Sequence, residues 1–289
     1  MSYSTETFLA HHLRHLRGDI FGGVTVAVVA LPLSLAFGVA SGAGPMAGLY
    51  GAILLGFFAA VFGGCPPQIS GPTGPMVVVM AALITQLPSN PQAAFTAVLL
   101  AGAFQLIFGV LRLGSYITYV PFPVVSGFMS GVGCLIIVLQ LGPLLGHPGS
   151  DQGVFKALAM LPEQVAAPNL GALAVAGAAL AVMLFLPARL RRLIPPPLLA
   201  LLAGTGVSLW LFPEVRVIGP IPHGLPHFVI PSVDPETFPV VLRGALALAL
   251  LGAIDSVLTS LIADSLTRSR HDPNREMLGQ GIGNAVCGL

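Results

Sequence analysis

Gly63 to Leu87 reads GGCPPQISGPTGPMVVVMAALITQL, and the change of character in the middle of this stretch decides the fold. The second part, Thr73 to Leu87, is apolar and 15 residues long. At about 1.5 Å per residue it gives about 22 Å of helix, short of the ~30 Å hydrocarbon core of a bilayer. The first part holds Pro66, Pro67 and Pro72 and no charge, so it cannot form a regular helix. Non-helical backbone at membrane depth survives only where protein or a wet cavity satisfies its polar groups. Thr73 suits an N-cap, and Pro75 in the first turn gives up an N–H that would lack an intrahelical partner anyway. Free amides and the positive end of a helix dipole would then sit near the bilayer midplane, which makes an anion site. Ser70, Gly71, Thr73 and Gly74 at this junction are its candidate contacts. The plainer alternative is a re-entrant or kinked helix with only a packing role.

The rest of the composition agrees with a membrane setting. Of 289 residues, 55% are hydrophobic and 8% are charged, against about 25% charged in ordinary soluble domains. Mean hydropathy is +0.91. No Asp, Glu, Lys or Arg occurs among residues 20–111, a run of 92, and water cannot be the main solvent of such a run. A net charge of +1 excludes the basic field that nucleic acid would need. Cys65, Cys134 and Cys287 are odd in number and lie in separate apolar segments, so they are expected to be small buried residues without disulfide or metal. About 18 residues, mostly polar, precede an apolar run too long for a signal-peptide core, so no cleavable leader is expected.

Eight apolar segments are expected to cross the membrane: Ile20 to Ala40, Met46 to Gly64, the short Thr73 to Leu87, Ala93 to Leu111, Pro121 to Leu145, Leu170 to Leu186, Pro196 to Phe212 and Val240 to Ala263. A ninth opens at Met277 and reaches Leu289. With the N-terminus cytoplasmic and one crossing per segment, nine basic residues (Arg14, Arg17, Arg112, Arg189, Arg191, Arg192, Arg268, Arg270 and Arg275) fall inside. Only Lys156, Arg216 and Arg243 fall outside. This agrees with the positive-inside rule only if the short third segment counts as a crossing. In the second segment Gly48, Ala52, Gly56, Ala60 and Gly64 recur every four residues, a small-residue stripe expected to pack tightly inside a bundle.

Asp255 is the one acid within these crossings, where a carboxylate costs about 3 kcal/mol and usually lines an ion path. Thr259 shares its helix face at i+4, and Ser256 is adjacent. One carboxylate with hydroxyl and carbonyl oxygens suits a hard monovalent cation such as sodium, or a proton carrier; a carboxyl held neutral by a neighbouring helix is the alternative. His11, His12 and His15 beside Arg14 and Arg17 read as a solvated interfacial helix rather than a metal site. Gly279, Gly281 and Gly283 lack the strand and spacing of a nucleotide fingerprint. No enzyme motif is visible, and no organic cofactor is expected.

Three motifs in order resemble one family. The run GDIFGGVTVAVVALPLSLAFGVASGAGPMAGLYGAILLGFFAAVFGG from Gly18 is followed by ISGPTGPM, and GAIDSVLTSLIADSLTR by NREMLGQGIGN. Together they resemble the SulP inorganic anion transporters, nearest the cyanobacterial bicarbonate transporters among them, from about residue 17 to Leu289. The resemblance implies an all-α polytopic fold of two inverted seven-segment repeats, with half-helices meeting at a central anion site and a cytoplasmic STAS domain following. It divides the chain into a cytoplasmic segment 1–19, a first repeat 20–239 and the start of a second repeat 240–289, with the STAS domain absent. It also makes Thr73 a substrate contact and Asp255 and Thr259 sodium ligands. Gly71 stands where the bicarbonate transporters carry Glu, which weakens bicarbonate relative to sulfate.

The expected function is therefore secondary active transport of sulfate or bicarbonate by alternating access in the inner (plasma) membrane, with sodium as the coupling ion. The expected partners are the lipid bilayer and the anion, with a homodimer possible for the full-length protein. Proton-coupled transport of a dicarboxylate or nucleobase on the same architecture is the alternative. The length also leads to the expectation of a truncated chain, and hence of a non-transporting membrane scaffold as a third reading.

Overall fold

The computed structural model describes residues 16–289 apart from 118, 120, 150–153, 192–193, 195, 216, 218–227, 229–230 and 233. His11, His12, His15, Arg14, Arg192, Arg216 and most of the segment 1–19 thus lie outside the described residues. All regular structure among those described is helical: α1 (Leu16–Ala40), α2 (Pro45–Phe62), α3 (Gly74–Gln86), α4 (Gln92–Val110), α5 (Gly114–Ile117), α6 (Phe122–Leu144), α7 (Val154–Ala166), α8 (Leu170–Phe185), α9 (Ala188–Arg191), α10 (Pro196–Leu211), α11 (Phe238–Thr267) and α12 (Pro273–Cys287).

Among the described residues four helices, α1, α2, α4 and α11, are long and apolar enough to cross a membrane. Many of their large apolar side chains face outward, Phe21 and Phe57 at 70% and 61% exposure, as expected when lipid rather than water is the surrounding solvent. The third segment is short as expected, 13 residues. The expected sixth and seventh crossings do not form full-length single helices. The helices α8 and α10 have 16 residues each, about 24 Å at 1.5 Å per residue. Pro187 and Pro213 follow their ends, where a helix cannot readily continue. The stretch before α8 holds a further helix, α7, broken from it at Ala167 to Asn169. Gly146, at φ 84°, ends α6, and Asn169 Oδ1 accepts from Ala172 N at 3.0 Å to start α8, so the chain turns twice within this region.

The chain forms two compact units, Met1–Leu33 with Ala174–Pro213 and Ser34–Leu173 with Glu214–Leu289. In the first unit Gly204 of α10 packs on Val175 of α8. The core of the second is built where α3, α4 and α11 meet, around Leu83, Leu87, Ala97, Val241, Ala245 and Ala249. Here α12 is inserted between α2 and α4. Its glycines explain how. Residues two apart in a helix point about 200° apart, so Gly279 and Gly283 face one side and Gly281 the other. A Cβ on Gly279 would lie 2.5 Å from Gly63 N and one on Gly283 2.6 Å from Leu55 Cδ1, whereas one on Gly281 would lie 2.8 Å from Leu106 N. The GQGIGN run is thus a double packing surface.

Two expectations need correcting. The small-residue stripe of α2 is not one packed face: Gly48 and Gly64 have backbone within 2.0–2.1 Å of a would-be Cβ, but Ala60 is exposed. A four-residue spacing drifts about 40° per step, about 160° over the whole stripe, so no single neighbour can cover it. Cys65 is buried, but Cys134 is exposed and Cys287 only partly buried, all three as free thiols. A small apolar side chain on α6 has no need of the interior when its surroundings are apolar too.

Candidate anion and cation sites

The segment Gly63 to Pro72 runs between α2 and α3 without forming a helix, and α3 begins at Gly74 with Thr73 as its N-cap. Thr73 adopts extended backbone, φ −121° and ψ 152°, as an N-cap residue should. The first helical bond runs from Val77 N to Thr73 O at 3.0 Å, so the amides of Gly74 and Met76 lie ahead of the ladder. The expectation that the Thr73 side chain caps the helix fails, since it makes no cap hydrogen bond. Thr73 Oγ1 is instead buried with no hydrogen-bond partner.

A cavity of about 150 Å³ opens at this helix start, lined by Gly71, Pro72 and Thr73 together with Phe37, Ser41, Met80, Phe95 and Asn284 among others. Among the described residues its lining contains no Lys, Arg or His, so attraction for an anion there would rest on amide and hydroxyl dipoles. Of the four candidate contacts, Gly71 and Thr73 line the cavity. Ser70 does not, because its hydroxyl accepts from Gln280 Nε2. Gly74 is buried against α6, where a Cβ would lie 2.8 Å from Ile136 Cδ1.

Asp255 and Thr259 sit one turn apart on α11, both partly buried. Neither lines the cavity. Asp255 nonetheless stands close enough to interact with the Thr73 hydroxyl, although Thr73 Oγ1 has no partner at full hydrogen-bond geometry. The helix start and the acid of α11 are therefore neighbours. The donor set, one carboxylate and hydroxyl oxygens without nitrogen or sulfur, fits a hard cation; Asp255 and Thr259 would supply its protein charge and a neutral oxygen.

Sequence reasoning missed the most connected polar group in this region. Glu276, placed by that reading in the loop before the ninth segment, is 2% exposed because α12 starts earlier, at Pro273, with Asp272 capping the amides of Asn274 and Arg275. Glu276, Gln280 and Asn284 form a buried polar ladder at i, i+4 and i+8. Asn284 Nδ2 donates to Gln105 Oε1 at 2.7 Å, and Gln105 Nε2 to Ala249 O at 3.4 Å. The four-residue spacing of Glu, Gln and Asn in NREMLGQGIGN was the available signal.

The chain is similar to known proteins in sequence and in fold. The pattern of the sulfate permease family matches residues 16–289. The bicarbonate transporter BicA of Picosynechococcus sp. is 49% identical over 289 residues, covering 96% of this chain and 51% of that protein. The putative sulfate transporter YvdB of Bacillus subtilis is 34% identical over 293 residues, covering 98% and 54%. The solved transmembrane domain of a cyanobacterial bicarbonate transporter BicA matches with a TM-score of 0.86 and 48% identity, covering 96% of this chain and 72% of that one. The chain spans about half the length of the curated relatives it matches. On the match along almost its whole length, the chain belongs to the sulfate permease family.

Proposed function

We propose that this protein takes part in secondary active transport of a small inorganic anion, bicarbonate or sulfate, across the cell's inner membrane by alternating access, with sodium as the coupling ion. The observation that carries the reading is the cavity at the start of α3, where Gly71 and Thr73 line a space next to Asp255. The anion binds to the free amides of the helix start and the Thr73 hydroxyl, and Asp255 with Thr259 holds the cation. A negative charge on one side of Thr73 and a cation on the other favour each other's binding, which is the physical content of coupling. Family membership supports an anion as substrate, since the relatives bear the names of bicarbonate and sulfate transporters.

The test is uptake of labelled bicarbonate and sulfate by the full-length protein in proteoliposomes. Uptake is expected to require an inward sodium gradient and to fall at least about tenfold in Asp255→Asn, about 1.4 kcal/mol of lost coupling. Equal uptake by the variant under the same gradient overturns the sodium role. Uptake driven by a pH gradient in sodium-free buffer, above all of a dicarboxylate or nucleobase, replaces it with the proton-coupled reading.

A further inference from the structure

The segment Gly63 to Pro72 carries the anion site yet has little structure of its own. Three prolines interrupt it, and Gln68 N to Cys65 O at 3.1 Å is a single turn bond. Its path is therefore set by what it is tied to, and the ties converge on one side chain. Glu276 Oε2 accepts from Gly64 N at 3.0 Å and Cys65 N at 3.1 Å. Its Oε1 accepts from Ser256 Oγ at 3.0 Å and Gln280 Nε2 at 2.9 Å. All four partners are donors.

From Oε1 two threads return to the same segment. Gln280 Nε2 also donates to Ser70 Oγ, the residue before Gly71. Ser256 Oγ accepts from Gln68 Nε2 at 3.3 Å, and Gln68 Oε1 accepts from Ser260 Oγ at 2.6 Å. The backbone of α12 adds one more tie, Asp272 N donating to Gly64 O at 3.1 Å. The start, the middle and the end of the segment are thus held through one carboxyl group and its direct partners. The close approach this needs is built in: a Cβ on Gly64 would lie 2.1 Å from Asp272 O, and one on Gly63 would lie 2.9 Å from Glu276 Oε2.

We propose that Glu276 is the positioning residue of the anion site: by fixing Gly64, Cys65, Gln68 and Ser70 it presents the amides of Gly71 and Thr73 in their binding geometry. This rests on the reading of that site given above. Glu276 does not line the cavity, and its network lies wholly within one compact unit. Losing it therefore loosens the site rather than blocking the transport step. The substitution Glu276→Gln isolates the effect. It keeps the shape but turns one acceptor into an N–H₂ that faces two donors whichever way the amide is turned.

In the full-length protein, Glu276→Gln is expected to raise the anion KM by about tenfold, the size of one buried hydrogen bond, with Vmax within about twofold of the parent. Amide hydrogen exchange is expected to speed up across residues 62–75 and stay unchanged in α4. Glu276→Asp, which restores the acceptors on a shorter stem, should recover part of both. Unchanged exchange in 62–75, or a fall in Vmax at unchanged KM, overturns the proposal. If the parent transports neither anion, the function proposed above falls, and the exchange comparison still decides the role of Glu276. Should Glu276→Gln not accumulate, Gln280→Met removes the amide that joins Glu276 to Ser70 and should speed exchange at 68–71; unchanged exchange there counts against the proposal equally.

Discussion

Thr73 is a residue whose stability and function pull in opposite directions. Its hydroxyl is buried with no partner at full hydrogen-bond geometry, only the looser approach to Asp255, a state that costs up to about 1–3 kcal/mol relative to a satisfied group. Thr73→Val removes the polar oxygen at nearly constant volume, so the folded protein should be no less stable. Thermal unfolding in detergent is expected to show an equal or higher midpoint, while anion uptake falls; a lower midpoint with uptake intact would show the hydroxyl to be structural. Thr73 and Asp255 were legible in the sequence because each is a polar exception inside an apolar run. Glu276 was not, since it stands among Arg, Asn and Asp in DPNRE, and composition assigns such a run to a loop. Only the Asp272 cap, which starts the helix before the apolar residues begin, reveals that the acid is inside.

At the scale of elements, α12 decides the packing of the second unit. Gly281 meets α4 with backbone on both sides of the approach: a Cβ there would lie 2.8 Å from Leu106 N and 2.9 Å from Gly102 O. Neither neighbour is a flexible side-chain end, so the helices must part. Gly281→Ala is expected to destabilise by about 1–3 kcal/mol. The comparison is Gly177→Ala on α8, where nothing lies within 4 Å of the new methyl and helix propensity favours the change. Equal unfolding midpoints for the two variants would contradict the close approach. The sequence displayed these glycines but not their partners, because alternate small residues in a helix imply two faces without saying what meets each. The half-helix α3 was legible for the opposite reason: its length and the prolines before it are local facts that need no knowledge of neighbours.

For the whole molecule, the charge-free run of residues 20–111 foretold the membrane but not the number of full-length crossings. Counting apolar segments treats each as a straight helix, whereas α6, α7 and α8 are set apart by turns at Gly146 and Asn169 that hydropathy does not register. Sidedness offers a test within one unit. In a cysteine-free parent, single cysteines replacing Arg112 and Arg268 should react from the cytoplasmic side with a membrane-impermeant maleimide, and one replacing Lys156 from the opposite side. Reaction of all three from one side would remove the short third segment as a crossing. The polar ladder of α12 has a further consequence, for how the protein is made. A helix carrying Glu276, Gln280 and Asn284 on one face and glycines on two others has no stretch that lipid would welcome, and an insertion machinery judging segments singly would not release it into the bilayer. Its place must already be waiting between α2 and α4, with α11 alongside, so the order in which this chain leaves the ribosome doubles as the order in which its interior is assembled.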